Sequence, residues 1–342
     1  MRVKQLLIRW LANSCPPGNP VLCRLNDFFA EKLLRWRHQR FDTGRITTTS
    51  VPVPIISVGS ISIGGSGKTP AILALLYLLQ QEKIAPAVLS RGYRRKIKGA
   101  RLIPTMGAMH QLAADYGDEP LLFRYHFPEI PLAVAEKRIE GARLLLPVKP
   151  EIILLDDGFQ HRFLQRDLDI LVFKKEFAGS SARYFPCGEL RDALFRLEAA
   201  SLILLEKSAS PELRGFLKQF APIFDYEMVP QPPDSSLLKE PIAAFCGVAS
   251  PKRFFETVKE LGVLVADEIA FRDHTVYSPK ILTRLQSLNA RTYITTEKDF
   301  VKLPPYFLNQ NYVQPIRWEM RISDSHKLLE KIKVVLNKYY IE

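Results

Sequence analysis

Gly64-Gly65-Ser66-Gly67-Lys68-Thr69 lies between two apolar segments. Upstream, Val53–Val58 reads as a short buried strand. Downstream, Pro70–Gln80 reads as an apolar helix. A glycine-rich turn that leaves a strand, ends in Gly-Lys-Thr and opens a helix is the setting of a phosphate-binding loop. Its glycines let backbone N–H groups turn inward onto phosphate oxygens, and the helix N-terminus adds positive potential. Gly64, Gly65, Ser66, Gly67, Lys68 and Thr69 are therefore candidate nucleotide-binding residues. Lys68 would reach the β- and γ-phosphates, and Thr69 would ligate Mg²⁺. The usual pattern has glycine at position 62; this chain has Ser62.

Outward from the loop, strands and helices alternate. Ala87–Ser90, Leu132–Ala135, Glu151–Leu155, Leu168–Phe173 and Ser201–Leu205 read as buried strands, with a helix over Arg138–Leu146. Short apolar strands separated by helices indicate a parallel sheet covered on both faces. Ile152-Ile153-Leu154-Leu155 runs into Asp156-Asp157, and carboxylates at a strand end beside a phosphate loop can hold Mg²⁺ directly or through water. Either Asp156 or Asp157 could make that contact. Residues 228–241 read as a linker. Beyond it, strands at Ile242–Cys246, Val263–Ala266 and Thr292–Thr296 alternate with helices at Pro251–Leu261 and Pro279–Leu288. A last helix runs from about Asp324 to Lys338. The expected fold class is α/β, in three parts. A P-loop NTPase-like parallel sheet flanked by helices occupies 46–227. A second, smaller α/β domain over 228–342 closes over the active-site cleft. An N-terminal amphipathic helical segment occupies 1–45.

Across 342 residues, apolar side chains make up 47% and charged ones 25%, a globular balance that argues against extended disorder. Cys15, Cys23, Cys187 and Cys246 form no C-x-x-C pair, so neither a zinc site nor a disulfide framework is indicated, and a reduced compartment fits. The net charge is +12, and residues 1–45 carry nine Lys/Arg against three Asp/Glu, half of the excess. That charge points to an anionic partner. Within the segment, one helix is expected over Val3–Ala12, a break over Ser14–Gly18, and a second helix capped by Asn19 and opened by Pro20. Leu22, Leu25, Phe29, Leu33 and Trp36 share one face of that second helix, flanked by Val21 and Phe28. The face either packs on its own domain or rests on anionic lipid. No apolar run reaches the ~20 residues that cross a bilayer, and the N-terminus lacks a signal-peptide pattern. Nucleic-acid binding has no support beyond the charge, since no recognition motif or aromatic ladder is present. No obligate protein partner is evident.

GTPases read guanine with Asn/Thr-Lys-x-Asp; in Thr296-Glu297-Lys298-Asp299 the lysine comes one place late, so that reading is set aside. A kinase with a separate acceptor site accounts for the second domain. A phosphotransferase on a soluble metabolite and a nucleotide-dependent switch are the alternatives.

Several further stretches carry a resemblance. They are Ile56-Ser57-Val58-Gly59, Leu89-Ser90-Arg91-Gly92-Tyr93, Gly117-Asp118-Glu119-Pro120, Leu155-Asp156-Asp157-Gly158-Phe159-Gln160-His161, Pro186-Cys187-Gly188-Glu189-Leu190-Arg191-Asp192 and Asp273-His274. Together with the phosphate loop, in this order, they resemble the tetraacyldisaccharide 4′-kinase family, the lipid A 4′-kinases of Gram-negative bacteria. Ser60 stands where that family commonly has Asn, and Thr275 where an aromatic is common. The resemblance implies transfer of the γ-phosphoryl group of ATP, with Mg²⁺, to the 4′-hydroxyl of a lipid A disaccharide 1-phosphate precursor. It also implies a peripheral enzyme on the cytoplasmic face of the inner membrane, which favours the lipid reading of the N-terminal helix. Asp118 resembles the family's catalytic carboxylate and His274 its partner, which would orient it and help move the proton. Lys68 joins them as the charge-neutralising group. Arg91, Tyr93, Gln160, His161 and Arg191 are the candidate acceptor or phosphate contacts, arginine being suited to bidentate phosphate recognition. For Arg94, Arg95 and Lys96, a solvated turn and a headgroup contact are equally open.

Overall fold

The structure, a computed structural model, describes residues 20–340. The helix expected over 3–12, the break after it and the Asn19 cap lie outside the described residues. The described chain starts with helix α1 (Pro20–Asp42) and then alternates strand and helix: β1 (Ile55–Gly59), α2 (Lys68–Gln81), β2 (Pro86–Ser90), β3 (Arg101–Leu102), α3 (Met109–Tyr116), α4 (Asp118–His126), β4 (Leu132–Val134), α5 (Arg138–Leu145), β5 (Ile152–Asp156), β6 (Leu168–Phe173), β7 (Leu202–Glu206), α6 (Pro211–Lys218) and β8 (Ile223–Gln231). It continues through β9 (Ile242–Cys246), α7 (Pro251–Glu260), β10 (Asp267–Ala270), α8 (Pro279–Gln286), β11 (Thr292–Thr296), α9 (Glu297–Phe300), α10 (Pro305–Gln310), β12 (Tyr312–Ile322) and α11 (Ser325–Tyr340).

Two compact units result, and they do not follow the linear split into 46–227 and 228–342. Ala87–Val148 groups with Met228–Arg321, while the chain up to Pro86 groups with Lys149–Glu227 and Ile322 onward. The linear reading missed this because crossing and returning leaves no composition boundary in the chain.

In the first unit, parallel pairing gives the order β5-β1-β6-β7-β8. Every residue of β1, β5 and β6 is buried, which is why these segments read as continuous apolar runs rather than alternating ones. Helix α11 belongs here: Lys333 pairs with Glu82, and the Tyr339 hydroxyl donates to Asp167. In the second unit β4 pairs parallel with β2 and antiparallel with β3, while β9 lies between β10 and β11 and β11 pairs with β12, all parallel. Two expectations change here. The strand lies at Asp267–Ala270, not Val263–Ala266, because β10 is an edge strand with mostly exposed side chains and carries no apolar pattern. The expected linker begins inside β8, whose first half is bonded to β7 from Ile203↔Ile223 to Glu206↔Tyr226.

Helix α1 is polar on the inside. Asp27 takes bonds from Arg183 and from the Tyr184 amide, Glu31 accepts from the Tyr184 hydroxyl, and Arg37 donates to the Gln160 carbonyl, while Ala30 and Leu34 pack on the apolar cluster beneath and Cys23 and Phe41 are buried beside them. Its apolar face points outward: Leu25, Phe29, Leu33 and Trp36 are exposed, Phe29 at 65% and Leu33 at 58%. Among the described residues, nothing packs over most of that face.

The end of β1 is held tightly. A Cβ on Gly59 would lie 2.5 Å from the Phe159 Cβ, and Phe159 is fully buried. Gly59→Ala is expected to lower stability by about 1–3 kcal/mol through overpacking, measured as a shift of the urea midpoint at unchanged slope.

Candidate active site

The first unit supplies the phosphate loop. After β1 the chain turns through Ser60–Gly67, and α2 starts at Lys68. Gly64 and Gly67 take φ of 98° and 88°, a left-handed region where a side chain is strained, so the turn needs glycine at both. The Lys68 ammonium sits 3.0 Å from Ser66 Oγ and 3.7 Å from Asp157 Oδ1. Asp156 ends β5 opposite Val58, almost fully buried; Asp157 follows it with φ 52°. Arg191 donates to both oxygens of Asp157, at 2.7 Å to Oδ2, and to the Ser60 carbonyl at 3.0 Å. Gln160 donates to the same carbonyl at 2.9 Å. Burial works against the charge of Arg191, but the hydrogen bonds and charge of Asp157 outweigh it and raise the guanidinium above its ordinary pKa. Lys174, just past β6, also reaches this loop: a Cβ on Gly65 would lie 3.9 Å from its Nζ. That lysine was not singled out from sequence, since a single Lys after a strand carries no local signal.

The donor set fits Mg²⁺ in the way that ion is usually held, by one or two carboxylates with the rest from phosphate and water. Asp156 or Asp157, with the Thr69 hydroxyl, could hold it. Asp157 is already engaged by Arg191. Among the described residues no group of three His, Cys, Asp or Glu forms a self-contained metal cage.

The second unit brings together Asp118 and His274, which are 156 positions apart. His274 Nδ1 lies 2.8 Å from Asp118 Oδ2. Asp118 is the first residue of α4, where the helix N-terminus favours a carboxylate, and its Oδ1 accepts the Glu119 amide at 3.1 Å. The sequence alone would place Asp118 in a turn; instead Pro120 sits in the first turn of a helix, where its missing N–H costs nothing. His274 takes φ 60°, and its amide donates to the Gly247 carbonyl. The Tyr93 ring stands edge-on to His274 at 6.1 Å, half exposed, and Arg94 stacks on Tyr93. Arg91 is exposed on the same turn. Lys298 Nζ is 3.3 Å from His274 Nε2 and 3.8 Å from Asp118 Oδ2.

Of the remaining candidates, Gln160 and His161 lie in the first unit beside Arg191, and the His161 carbonyl accepts from Arg166. Arg95 is neither a solvated turn residue nor a headgroup contact. It is buried, bonded to the Val134 and Gly99 carbonyls and paired with Glu136. Lys96 stays exposed.

Residues 21–337 match a family model described as tetraacyldisaccharide-1-P 4′-kinase. The tetraacyldisaccharide 4′-kinase of Aquifex aeolicus is 34% identical, over 89% of this chain and 95% of that one. That of Bradyrhizobium diazoefficiens is 35% identical, over 88% and 87%. The solved structure of LpxK from Aquifex aeolicus in complex with ATP superposes with a TM-score of 0.74 at 31% identity, covering 91% of this chain and 97% of that one.

One buried pair ties α1 to this site. His38 Nε2 meets Asp192 Oδ1 at 2.8 Å with both side chains essentially inaccessible, and Asp192 follows Arg191 directly. Burial pushes the Asp192 carboxyl up, but the hydrogen bond and charge of His38 outweigh it and hold the group below its ordinary 3.8. A depressed carboxyl contributes stability above its unfolded pKa and loses it as pH falls through the folded one. His38→Ala is therefore expected to cost ~1.5–3 kcal/mol at neutral pH, the range for a hydrogen bond to a charged group. The deficit should narrow below about pH 4, read from urea titrations across pH.

Proposed function

The chain belongs to the tetraacyldisaccharide-1-P 4′-kinase family, and on that premise we propose how its residues transfer the γ-phosphoryl group of ATP to the 4′-hydroxyl of a tetraacyldisaccharide 1-phosphate in lipid A biosynthesis. The observation that carries the reading is the 2.8 Å Asp118–His274 contact, in the unit that does not contain the phosphate loop. A nucleotide site alone would serve a switch; a carboxylate oriented by an imidazole serves to take a proton from an alcohol.

Phosphoryl transfer has a loose transition state, so positioning and charge neutralisation dominate. The turn Gly64–Gly67 and the N-terminus of α2 receive the phosphates through backbone N–H groups. Lys68 neutralises charge that builds on the transferred group and the leaving oxygen. Asp156 or Asp157, with Thr69, would hold Mg²⁺, which would supply further positive charge beside the phosphates. Arg191 keeps the Asp157 carboxylate from confronting the nucleotide as a bare anion. Asp118 accepts the proton of the attacking 4′-hydroxyl as its oxygen bonds to phosphorus and the bond to the ADP oxygen breaks. Arg91 and Tyr93, exposed on the turn beside His274, are assigned to the acceptor, and Gln160 and His161 to the phosphate side.

An acylated acceptor stays in the bilayer, so the enzyme must come to it. The outward apolar face of α1, with Arg24, Lys32 and Arg40 around it, supports peripheral binding to the anionic cytoplasmic face of the inner membrane. Each basic residue near such a surface is worth ~1 kcal/mol. No helix among the described residues is long and apolar enough to cross a membrane.

The direct test uses labelled ATP, Mg²⁺ and detergent-dispersed tetraacyldisaccharide 1-phosphate. Wild type should yield a bisphosphorylated lipid, and Lys68→Ala almost none. Asp118→Asn should lower kcat by ~10²–10⁴-fold, the usual contribution of a positioned base, with the KM for ATP nearly unchanged. An active Asp118→Asn rejects the base assignment. For α1, the double variant Phe29→Asp/Leu33→Asp should lose well over ~10-fold in flotation with vesicles containing anionic lipid, since inserting each side chain is worth ~1.5–3 kcal/mol. Undiminished flotation would place the membrane contact elsewhere.

A further inference from the structure

Strands β5 and β6 flank β1 on opposite edges. The β5 edge brings Asp156 and Asp157 to the phosphate loop. On the other edge, β6 pairs with β1 from Ile56↔Leu168 to Gly59↔Leu171. There β1 turns away into the loop, while β6 runs on through Val172 and Phe173 and hands over to Lys174. The backbone at Lys174 is held on both sides. The Phe173 carbonyl accepts the Tyr226 hydroxyl at 3.2 Å, the Lys174 carbonyl accepts the Phe177 amide at 3.2 Å, and the Lys175 amide donates to Glu206 at 3.3 Å. The Lys175 ammonium also goes to Glu206, on β7, the neighbour of β6 away from β1. Lys174 turns the opposite way, to the loop.

Gly65 marks where that ammonium arrives. A Cβ on Gly65 would stand 3.9 Å from Lys174 Nζ, and among the described residues nothing else beyond its chain neighbours comes within 4 Å of it. Gly64 and Gly67 need glycine for their left-handed φ; Gly65 lies outside that range, so its missing side chain serves space and not backbone freedom. Residues 63–65 are exposed, and Lys174 borders this open turn on the β6 side. The cations facing the β5 side are already engaged: Lys68 lies 3.7 Å from Asp157, and Arg191 takes both oxygens of that carboxylate. The carboxylates assigned to Mg²⁺ stand at the same β5 edge. Phosphate oxygens turned towards β6 therefore rely on a cation of the protein.

We propose that Lys174 is a phosphate-binding residue, whose ammonium holds the phosphate chain of the nucleotide from the β6 edge of the loop. It is a third cation at this site, beside Lys68 and Arg191, and it comes from a different strand end from either. An ammonium is a compact charge with three donors on a flexible stem, so it can follow a phosphate oxygen without a fixed approach direction. The fixed backbone at Lys174 limits how far that stem can stray from the loop. The proposal rests on the reading of Gly64–Thr69 as the nucleotide site, and the experiment separates the two.

Full-length protein is titrated with ATP and Mg²⁺ by calorimetry. Inorganic triphosphate, which has the phosphate chain and no nucleoside, serves as competitor. Lys174→Met should weaken ATP and triphosphate by a similar factor of ~10–100, the scale of one hydrogen bond to a charged group, with the urea midpoint unchanged. Lys174→Gln keeps an N–H donor without the charge and should bind as weakly as Lys174→Met. Lys174→Arg keeps the charge and should regain most of the affinity. In turnover the KM for ATP should rise by the same factor while the KM for the lipid acceptor stays within about twofold. Wild-type ATP affinity in Lys174→Met overturns the proposal. Recovery in Lys174→Gln also overturns it, since a neutral donor would then suffice and the lysine would merely tie the loop. A loss for ATP with none for triphosphate overturns it by placing the contact on the nucleoside. Lys68→Ala is the reference: if it binds both ligands and turns over like wild type, the phosphate-loop reading itself falls. If Lys68→Ala is impaired and Lys174→Met is not, the role of Lys174 alone is rejected.

Discussion

Arg191 closes a three-way junction in the first unit. Its guanidinium takes both oxygens of Asp157, at the end of β5, and the carbonyl of Ser60, at the end of β1, while its own backbone belongs to the segment that follows Tyr184. A planar fork suits a carboxylate and a carbonyl together in a way an ammonium cannot. The junction solves an electrostatic problem. A carboxylate next to a phosphate loop repels the ligand unless a cation answers it, and two cations, Arg191 and Lys68, face Asp157. The tight contact of Gly59 with Phe159 and the bond from Gln160 to the Ser60 carbonyl hold the same strand ends from the other side. Polar contacts from α1 then clamp the flanks of the junction, through Tyr184, Gln160 and Asp192.

That clamp explains why α1 is inverted relative to an ordinary surface helix. Periodicity showed that Leu22, Leu25, Phe29, Leu33 and Trp36 share a face, but a period gives a face and not its direction. The direction is set by Asp27, Glu31, Arg37 and His38, whose partners lie more than a hundred residues away in the chain. No local pattern announces such pairing. With those side chains turned in, the apolar stripe has only the outside left.

The same distinction between local and distant information runs through the rest of the molecule. Strands buried on both faces, such as β1, β5 and β6, were readable because burial alone makes them continuous apolar runs. The edge strand β10 was misplaced by four residues, since one-sided exposure erased the signal. The phosphate loop was readable because its chemistry sits within six consecutive residues. Asp118 and His274 were reached only through resemblance, because an Asp before Glu-Pro and a lone His in a loop look ordinary until the fold joins them. Lys298 was set aside because its motif was tested against a single chemistry, guanine recognition, and its actual neighbours come from other elements.

Asp157 and Asp118 have partners that differ in a way that matches their tasks. Asp157 faces a permanent cation through two-point hydrogen bonding, with a lysine 3.7 Å beyond. Such a group serves as a fixed counter-charge. Asp118 instead meets an imidazole at 2.8 Å and a backbone amide at 3.1 Å, while the Lys298 ammonium stands 3.8 Å away. A direct bidentate arginine on Asp118 would hold it as firmly, but it would also set a permanent charge against the protonated product of the transfer. An imidazole contact keeps the orientation without a bidentate guanidinium on the carboxylate. Each oxygen is left with a lone pair for the hydroxyl proton.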